Sequence, residues 1–308
     1  MVSSLFITGA SGFIGRHLLT RLQPQQFDHV YCLTRTEIAA REFTDKANFH
    51  WLVGSIFDSG IYSGCLDSVD TVIHLAATTG KAQRDQYFTV NSTGTQYLLE
   101  QCKQRGVKNF LYASSIVVKY KHKSDYYYAQ SKQDGENAVI QSGLNYTIVR
   151  PTIVLGKDSP NWSALSNLAR LRFIPVLGNG TARLQPIDVD DAVDAIISII
   201  QEGDFRNESF DLGGPEVLSI EAFLKKIHRL HNRHEPTVIH LPHKPLRWLV
   251  ACAERYLARW MPFNAGQLAV FVEEGTIASN RVFEKRRPHM KDLDTVLTAL
   301  TSYERNAN

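Results

Sequence analysis

The stretch Ser4-Leu5-Phe6-Ile7-Thr8-Gly9-Ala10-Ser11-Gly12-Phe13-Ile14-Gly15 sets the reading of the chain. Ser4 to Ile7 has the short apolar pattern of a buried strand. From Phe13 to Leu22, apolar residues at Phe13, Ile14, Leu18, Leu19 and Leu22 recur at helical spacing. Strand, glycine-rich turn and helix, in that order, are the context in which such glycines carry meaning. Gly9 permits the tight turn, Gly12 lets a diphosphate approach the backbone, and Gly15 lets the helix pack closely on the strand. The helix start offers unpaired N–H groups and a positive dipole end to an anion. The expectation is a dinucleotide site. The plainer alternative is a strand–helix turn that holds no ligand.

Outward from that stretch the same rhythm repeats. Strands are expected at His29–Thr34, Phe49–Val53, Asp70–Ala77, Asn109–Ser114 and Tyr146–Arg150, with helices at Val90–Arg105 and Tyr126–Gln141. Alternating apolar strands and amphipathic helices mean a parallel sheet with helices on both faces. The fold class is therefore α/β, a Rossmann doubly wound parallel sheet. After Pro151 the rhythm changes. Helices are expected at Trp162–Leu171, Asp188–Gln201, Ser219–Leu230, Leu246–Trp260 and Asp292–Tyr303, and short strands at Phe210–Leu212 and Thr237–Leu241. This divides the chain into a dinucleotide-binding domain, 1–155, and a smaller C-terminal substrate lobe, 156–308, interleaved with the first.

Composition narrows the class. The 308 residues are 44% hydrophobic and 21% charged, as in a soluble globular protein. A net charge of +3 is too mild to argue for nucleic acid. Cys32, Cys65, Cys102 and Cys252 have no paired spacing and read as reduced thiols of a cytoplasmic protein. The first strand begins almost at once, which leaves no room for a signal peptide. No apolar run is long enough to span a bilayer, so no integral membrane segment is expected.

In such sheets ligands sit beyond the carboxyl ends of the strands. About twenty positions past the last glycine, where an acidic residue would bind a ribose 2′-hydroxyl, stands Arg35. An arginine there welcomes a 2′-phosphate, which favours NADP over NAD, with Arg16 adding charge and Glu37 opposing it. Tyr128 and Lys132 fall four apart on an expected helix and share one face. A lysine ammonium beside a phenol favours the phenolate, which can exchange a proton with a substrate oxygen, and the same lysine could hold the cofactor's ribose hydroxyls. Ser114 and Ser115 close strand five, either as site hydroxyls or as turn residues.

Together Thr8–Gly15, Ala113-Ser114-Ser115 and Tyr128-Ala129-Gln130-Ser131-Lys132 resemble the short-chain dehydrogenase/reductase superfamily. The longer glycine spacing is similar to its extended and atypical branch, the NAD-dependent epimerase/dehydratase-like proteins. Arg150–Gly156 and Leu184–Ala192 agree with that branch. The resemblance implies Tyr128 as catalytic acid/base, Lys132 as its partner and Ser115 as the substrate-orienting serine. It implies that Gly9, Ser11, Gly12, Phe13 and Ile14 wrap the diphosphate and that Arg35 meets the 2′-phosphate. Leu75, Ala76 and Ala77 would flank the ribose, Pro151 and Ile153 the nicotinamide, and Ser55 and Ile56 the adenine, with Ser114 beside Ser115. Ser55 and Ile56 depart from the family pattern, which has an Asp after the strand-three glycine. The implied activity is an NAD(P)-dependent oxidoreductase or epimerase acting on a small-molecule substrate. The tail from Pro245 to Leu268 resembles atypical members related to an accessory subunit of respiratory complex I, some of which hold NADP and turn over nothing. A catalytically quiet assembly or sensor protein is thus the alternative, and a homodimer stays open.

Other features read as bland. His228, His231 and His234 have helical spacing without a cysteine or carboxylate cluster, so no metal is expected. His240 and His243 straddle Pro242 as a loop. Arg281, Lys285, Arg286, Arg287 and Lys291 read as a solvated run or a face for an acidic partner or lipid head groups. Arg170, Arg172 and Arg183 are the arginines available to a substrate diphosphate. The stripe from Leu246 to Trp260 reads as a packed helix rather than a peripheral membrane contact.

Overall fold

A computed structural model describes residues 4–37, 47–232, 234–243, 245 and 265–307. The first half runs β1 (Ser4–Thr8), α1 (Phe13–Arg21), β2 (His29–Thr34), β3 (Phe49–Val53), α2 (Ser59–Tyr62), β4 (Thr71–His74), α3 (Arg84–Phe88), a π-helical turn (Thr89–Gly94), α4 (Thr95–Gln104), β5 (Asn109–Ala113), α5 (Tyr127–Gln141) and β6 (Asn145–Pro151). The second runs β7 (Val154–Leu155), α6 (Pro160–Ala169), β8 (Phe173–Leu177), β9 (Arg183–Leu184), β10 (Ile187–Asp188), α7 (Val189–Glu202), β11 (Glu208–Leu212), β12 (Leu218–Ser219), α8 (Ile220–Asn232) and β13 (Thr237–Leu241), then helices Arg281–Arg286 and Leu293–Ala307.

The central sheet has the order β11-β6-β5-β4-β1-β2-β3, and β1 to β6 pair in parallel throughout. Every residue of β1 is buried, which requires cover on both faces of the sheet. Phe6, Val72, Phe110, Tyr112 and Ile148 share one core with Leu98, Leu99 and Cys102 of α4 and Val139 of α5. Leu5 and Ile7 alternate onto the opposite face and are equally buried. The strand order reverses between β1 and β4. That reversal is the switch point at which this architecture binds ligands.

Two compact units divide the chain. The first comprises 1–115, 131–150 and 193–210, and the second 116–130, 151–192 and 211–308. In the first, Arg21 at the end of α1 holds Asp194 of α7 with two hydrogen bonds of 2.6 and 2.8 Å. In the second, β8 pairs with β13, β7 with β10 and β9 with β12. Its core joins Trp162 and Leu165 of α6, Phe223 and Ile227 of α8, and Val296 and Leu297 of the last helix.

Several expectations shift by physical causes. The strand expected over 70–77 ends at His74, because the turn at Gly9 stands against Leu75 and Ala76. The helix expected from Val90 opens as a π-helical turn around the buried side chain of Asn91. The helix α6 starts two residues early, with Pro160 at its first position and Ser159 accepting the Trp162 N–H at 3.3 Å. His240, read both as the penultimate residue of the strand Thr237–Leu241 and as part of a loop about Pro242, lies on β13 and meets Glu221 at 2.9 Å. The stripe Leu246–Trp260 and Cys252 fall outside the described residues.

Candidate active site

The turn after β1 is shaped by close approach. Gly9 has φ of +69°, and a Cβ there would lie 2.6 Å from the Ala76 nitrogen and 2.8 Å from the Leu75 carbonyl carbon. No side chain fits between these two segments at the switch point. A Cβ on Gly15 would lie 2.3 Å from the Gly9 oxygen, so only glycine lets α1 start so close to the turn. Gly12 differs. Its Cβ would meet only the Gly9 oxygen, at 3.1 Å, and its outer face is otherwise open. Gly12 also caps α1 without any side-chain hydrogen bond. The first N–H groups of the helix, those of Phe13 and Ile14 among them, therefore have no intrahelical acceptor. Ser11 is braced from the side by the buried Thr34, whose hydroxyl lies 2.9 Å from Ser11 Oγ. Arg35 follows directly and is exposed.

The segment after β4 is fixed by a buried polar chain that the sequence reading missed. Thr8 Oγ1 lies 2.6 Å from His74 Nδ1, and His74 Nε2 lies 2.9 Å from Thr95 Oγ1. Thr95 Oγ1 donates to the Asn91 carbonyl at 2.8 Å, so it accepts from His74, and the His74 proton sits on Nε2. Thr8 then donates to Nδ1 and accepts the Ala76 N–H at 3.3 Å. The Asn91 side chain accepts the Thr78 N–H at 2.7 Å and donates to the Thr78 carbonyl and to Ser131 Oγ, each at 3.0 Å. Leu75, Ala76 and Ala77, all half-buried, are held at both ends by this chain. Burial pulls the His74 imidazolium down to about 3, with the Lys132 charge adding to the effect. The only sequence signals were a histidine closing an apolar strand and an asparagine inside an amphipathic helix.

At the end of β5, Ser114 is buried, and its hydroxyl has no hydrogen-bond partner among the described residues. Its N–H is spent on the Val149 carbonyl at 2.8 Å. Ser115, half-buried, follows. Lys132 on α5 is buried and donates to the Ala113 carbonyl at 2.6 Å. Burial brings its ammonium down to about 7, and the Glu136 carboxylate opposes that shift. Glu136 is itself held by two hydrogen bonds from Arg150 at 2.8 and 2.6 Å. Tyr128 stands one turn before Lys132 on α5 and is half-buried. It packs on the cluster of Ile116, Val117, Tyr120, Tyr126, Ala129 and Ala269.

Other expected positions are less open. Ser55 N–H donates to Asp58 at 2.7 Å, and Ile56 sends its side chain into the core of the first unit. Pro151 is buried, and Ile153 packs on the core of the second unit. Arg170 pairs with Glu304 at 2.6 Å, Arg183 with Glu274 at 3.0 Å, and Arg172 lies over the Phe173 ring at 5.3 Å. Lys291 of the basic run is paired to Asp188 and Asp190 at 2.8 and 2.9 Å. His228 meets the Ala169 carbonyl and His231 meets Ser166, as hydrogen-bonded core histidines do. Among the described residues no group of three or more His, Cys, Asp or Glu could hold a metal ion, and no helix is long and apolar enough to cross a membrane.

The family model described as NAD dependent epimerase/dehydratase family matches residues 5–213. The uncharacterized protein y4nG of Sinorhizobium fredii is 27% identical over 74% of this chain, which spans 60% of that protein's length. Subunit 9 of the NADH dehydrogenase [ubiquinone] 1 alpha subcomplex, mitochondrial, of Arabidopsis thaliana is 22% identical over 98% of this chain and 76% of its own. A crystal structure of UDP-glucuronic acid 4-epimerase from Bacillus cereus, in complex with UDP-glucuronic acid and NAD, matches with a TM-score of 0.75 and 20% identity, covering 99% of this chain and 100% of that one. At that identity the likeness establishes a shared fold.

Proposed function

The chain belongs to the NAD dependent epimerase/dehydratase family, and from that premise we propose that it is an NAD(P)-dependent oxidoreductase or epimerase with Tyr128 as acid/base. The observation that carries this reading is the end of β5. There a buried lysine is pinned to the Ala113 carbonyl one helical turn from Tyr128, and the buried Ser114 hydroxyl has no partner among the described residues.

The residues fit a dinucleotide. The open face of Gly12, the uncapped start of α1 and the Ser11 hydroxyl suit a diphosphate, and the fixed segment Leu75–Ala77 would border the ribose. Arg35, exposed just past β2, would take a 2′-phosphate, which is the ground for preferring NADP to NAD. When bound, the nicotinamide supplies or accepts a hydride. The protein does the rest. Tyr128 gives or takes the proton at the substrate oxygen, Lys132 favours the phenolate electrostatically, and Ser115 orients that oxygen. The substrate is a small molecule whose reacting carbon carries a carbonyl or hydroxyl group.

One observation favours a second reading. The Arabidopsis relative is similar over 98% of this chain, and its name places it in an NADH dehydrogenase subcomplex. A protein that keeps its dinucleotide and turns nothing over would have the same cradle. NADPH and NADH consumption with a panel of ketones, aldehydes and nucleotide sugars separates the two, with Tyr128→Phe beside the parent. Turnover by the parent that Tyr128→Phe abolishes supports the enzyme. Binding without turnover in either supports the second reading.

A further inference from the structure

Tyr112 is wholly buried on β5 and makes contact with two other elements of the first unit, α5 and β4. The Lys132 ammonium lies 4.1 Å from its ring centroid. The His74 ring, its register partner on β4, lies 5.5 Å away. A Cβ on Gly135 would lie 2.1 Å from the Tyr112 hydroxyl oxygen and 2.8 Å from the ring carbon that bears it. Lys132 and Gly135 are three apart on α5 and so share a face. The tyrosine therefore runs along that face, with the ammonium over its ring and its hydroxyl end in the notch that glycine leaves.

We propose that Tyr112 is a positioning residue for Lys132, holding the ammonium over its ring against the Ala113 carbonyl. The proposal rests on the reading of Lys132 as the partner of Tyr128. A buried ammonium needs compensation for its lost hydration. One carbonyl takes one of its three N–H bonds. The face of an aromatic ring attracts a cation, and more so in the dry interior. The charged and titratable groups facing Lys132 are His74 from β4, Tyr128 one turn earlier on α5, Glu136 from α5 with its Arg150 partner from β6, and Tyr112 itself from β5. Glu136 spends its hydrogen bonds on Arg150 and acts on the ammonium through space, so the ring and the carbonyl are the groups in contact with it. Gly135 is part of the device, because any side chain there would expel the hydroxyl end of the ring.

The test follows the Lys132 protonation midpoint by NMR of the full chain labelled at lysine 13Cε, in the parent, Tyr112→Phe and Tyr112→Leu. Phe keeps the ring face and should leave the midpoint where it is. Leu removes it and should lower the midpoint by about one unit, a tenfold change in the protonation constant. Should Leu fail to fold, 3,4,5-trifluorophenylalanine placed at 112 keeps the shape, weakens the ring face and should lower the midpoint in the same direction. An unmoved midpoint in Leu or the fluorinated variant overturns the proposal, as does an equal shift in Phe. The readout needs no turnover. A shifted midpoint in a protein without activity overturns the enzyme reading alone, and an unmoved one in an active protein overturns the positioning role alone.

Discussion

Thr8 Oγ1 lies 2.6 Å from His74 Nδ1 and accepts the Ala76 N–H at 3.3 Å, so this pair ties the histidine to the segment after β4. The other ring nitrogen is bonded to Thr95, which gives its own proton to the Asn91 carbonyl and so holds the His74 proton on Nε2, and full burial keeps the ring neutral. The folded protein holds His74 near 3, well below its ordinary value of 6.5. Between those values the unfolded chain binds a proton that the folded chain refuses. Stability is therefore full above about pH 6.5 and falls as pH drops from there towards 3, by up to about 1.4 kcal/mol per pH unit. Urea unfolding at pH 5 to 7 should show this slope, and His74→Phe should flatten it while lowering stability throughout.

Lys132 acts in a higher window with the same sign. Its folded value is about 7 against 10.5 unfolded, so the cost of burying the ammonium is complete below pH 7. That cost fades as pH rises towards 10.5, and stability gains from it. Lys132→Met should remove this rise, read as a flatter unfolding midpoint between pH 7 and 9.

Gly135→Ala should destabilise, against the usual gain of about 1 kcal/mol for replacing a glycine within a helix. The added Cβ would stand 2.1 Å from the Tyr112 hydroxyl and 2.7 Å from the Asn91 carbonyl oxygen. Overpacking of this kind costs about 1–3 kcal/mol, so a net loss is expected in urea or thermal unfolding.

The strands were the most legible part of the fold. β2, β3 and β13 begin and end where their apolar runs do, because a strand's pattern is local. The expected glycine turn is present: Gly9 and Gly15 sit where a side chain would collide with another stretch of backbone, and Gly12 is open on its outer side. What could not be read were pairings between distant residues. Thr8 and His74 are 66 residues apart, and Asn91 and Ser131 are 40 apart, so their bonds exist only once the sheet forms. The same holds for the arginines singled out for a diphosphate, since the sequence does not show that Glu304 and Glu274 stand beside Arg170 and Arg183. Pro160 after Ser159 was a helix-start signal in plain view, and α6 begins there.

Arg35→Ala should separate the two cofactors. If the exposed guanidinium meets a 2′-phosphate, NADPH affinity falls about tenfold or more while NADH affinity holds, on the scale of a charge-assisted bond. Calorimetric titration of both reduced cofactors into parent and variant checks this. An unchanged ratio would remove the case for NADP.

Tyr128→Phe should lower kcat by about a hundredfold to ten-thousandfold on any substrate the parent turns over, with cofactor affinity kept. The phenyl ring preserves the packing on Tyr126 and removes only the hydroxyl. Steady-state kinetics together with a cofactor titration distinguish this from a general loss of structure.

Whether the turn from Gly9 to Gly15 cradles a nicotinamide dinucleotide is decided by cofactor binding to the parent and to Gly12→Val. Gly12 has ordinary negative φ, and its Cβ meets only one backbone oxygen, so the variant should fold. The parent should bind NADPH or NADH saturably, and Gly12→Val should lose at least tenfold in affinity with an unfolding temperature close to the parent's. A folded parent that binds neither cofactor, or a variant that binds as tightly as the parent, would contradict this role of the turn.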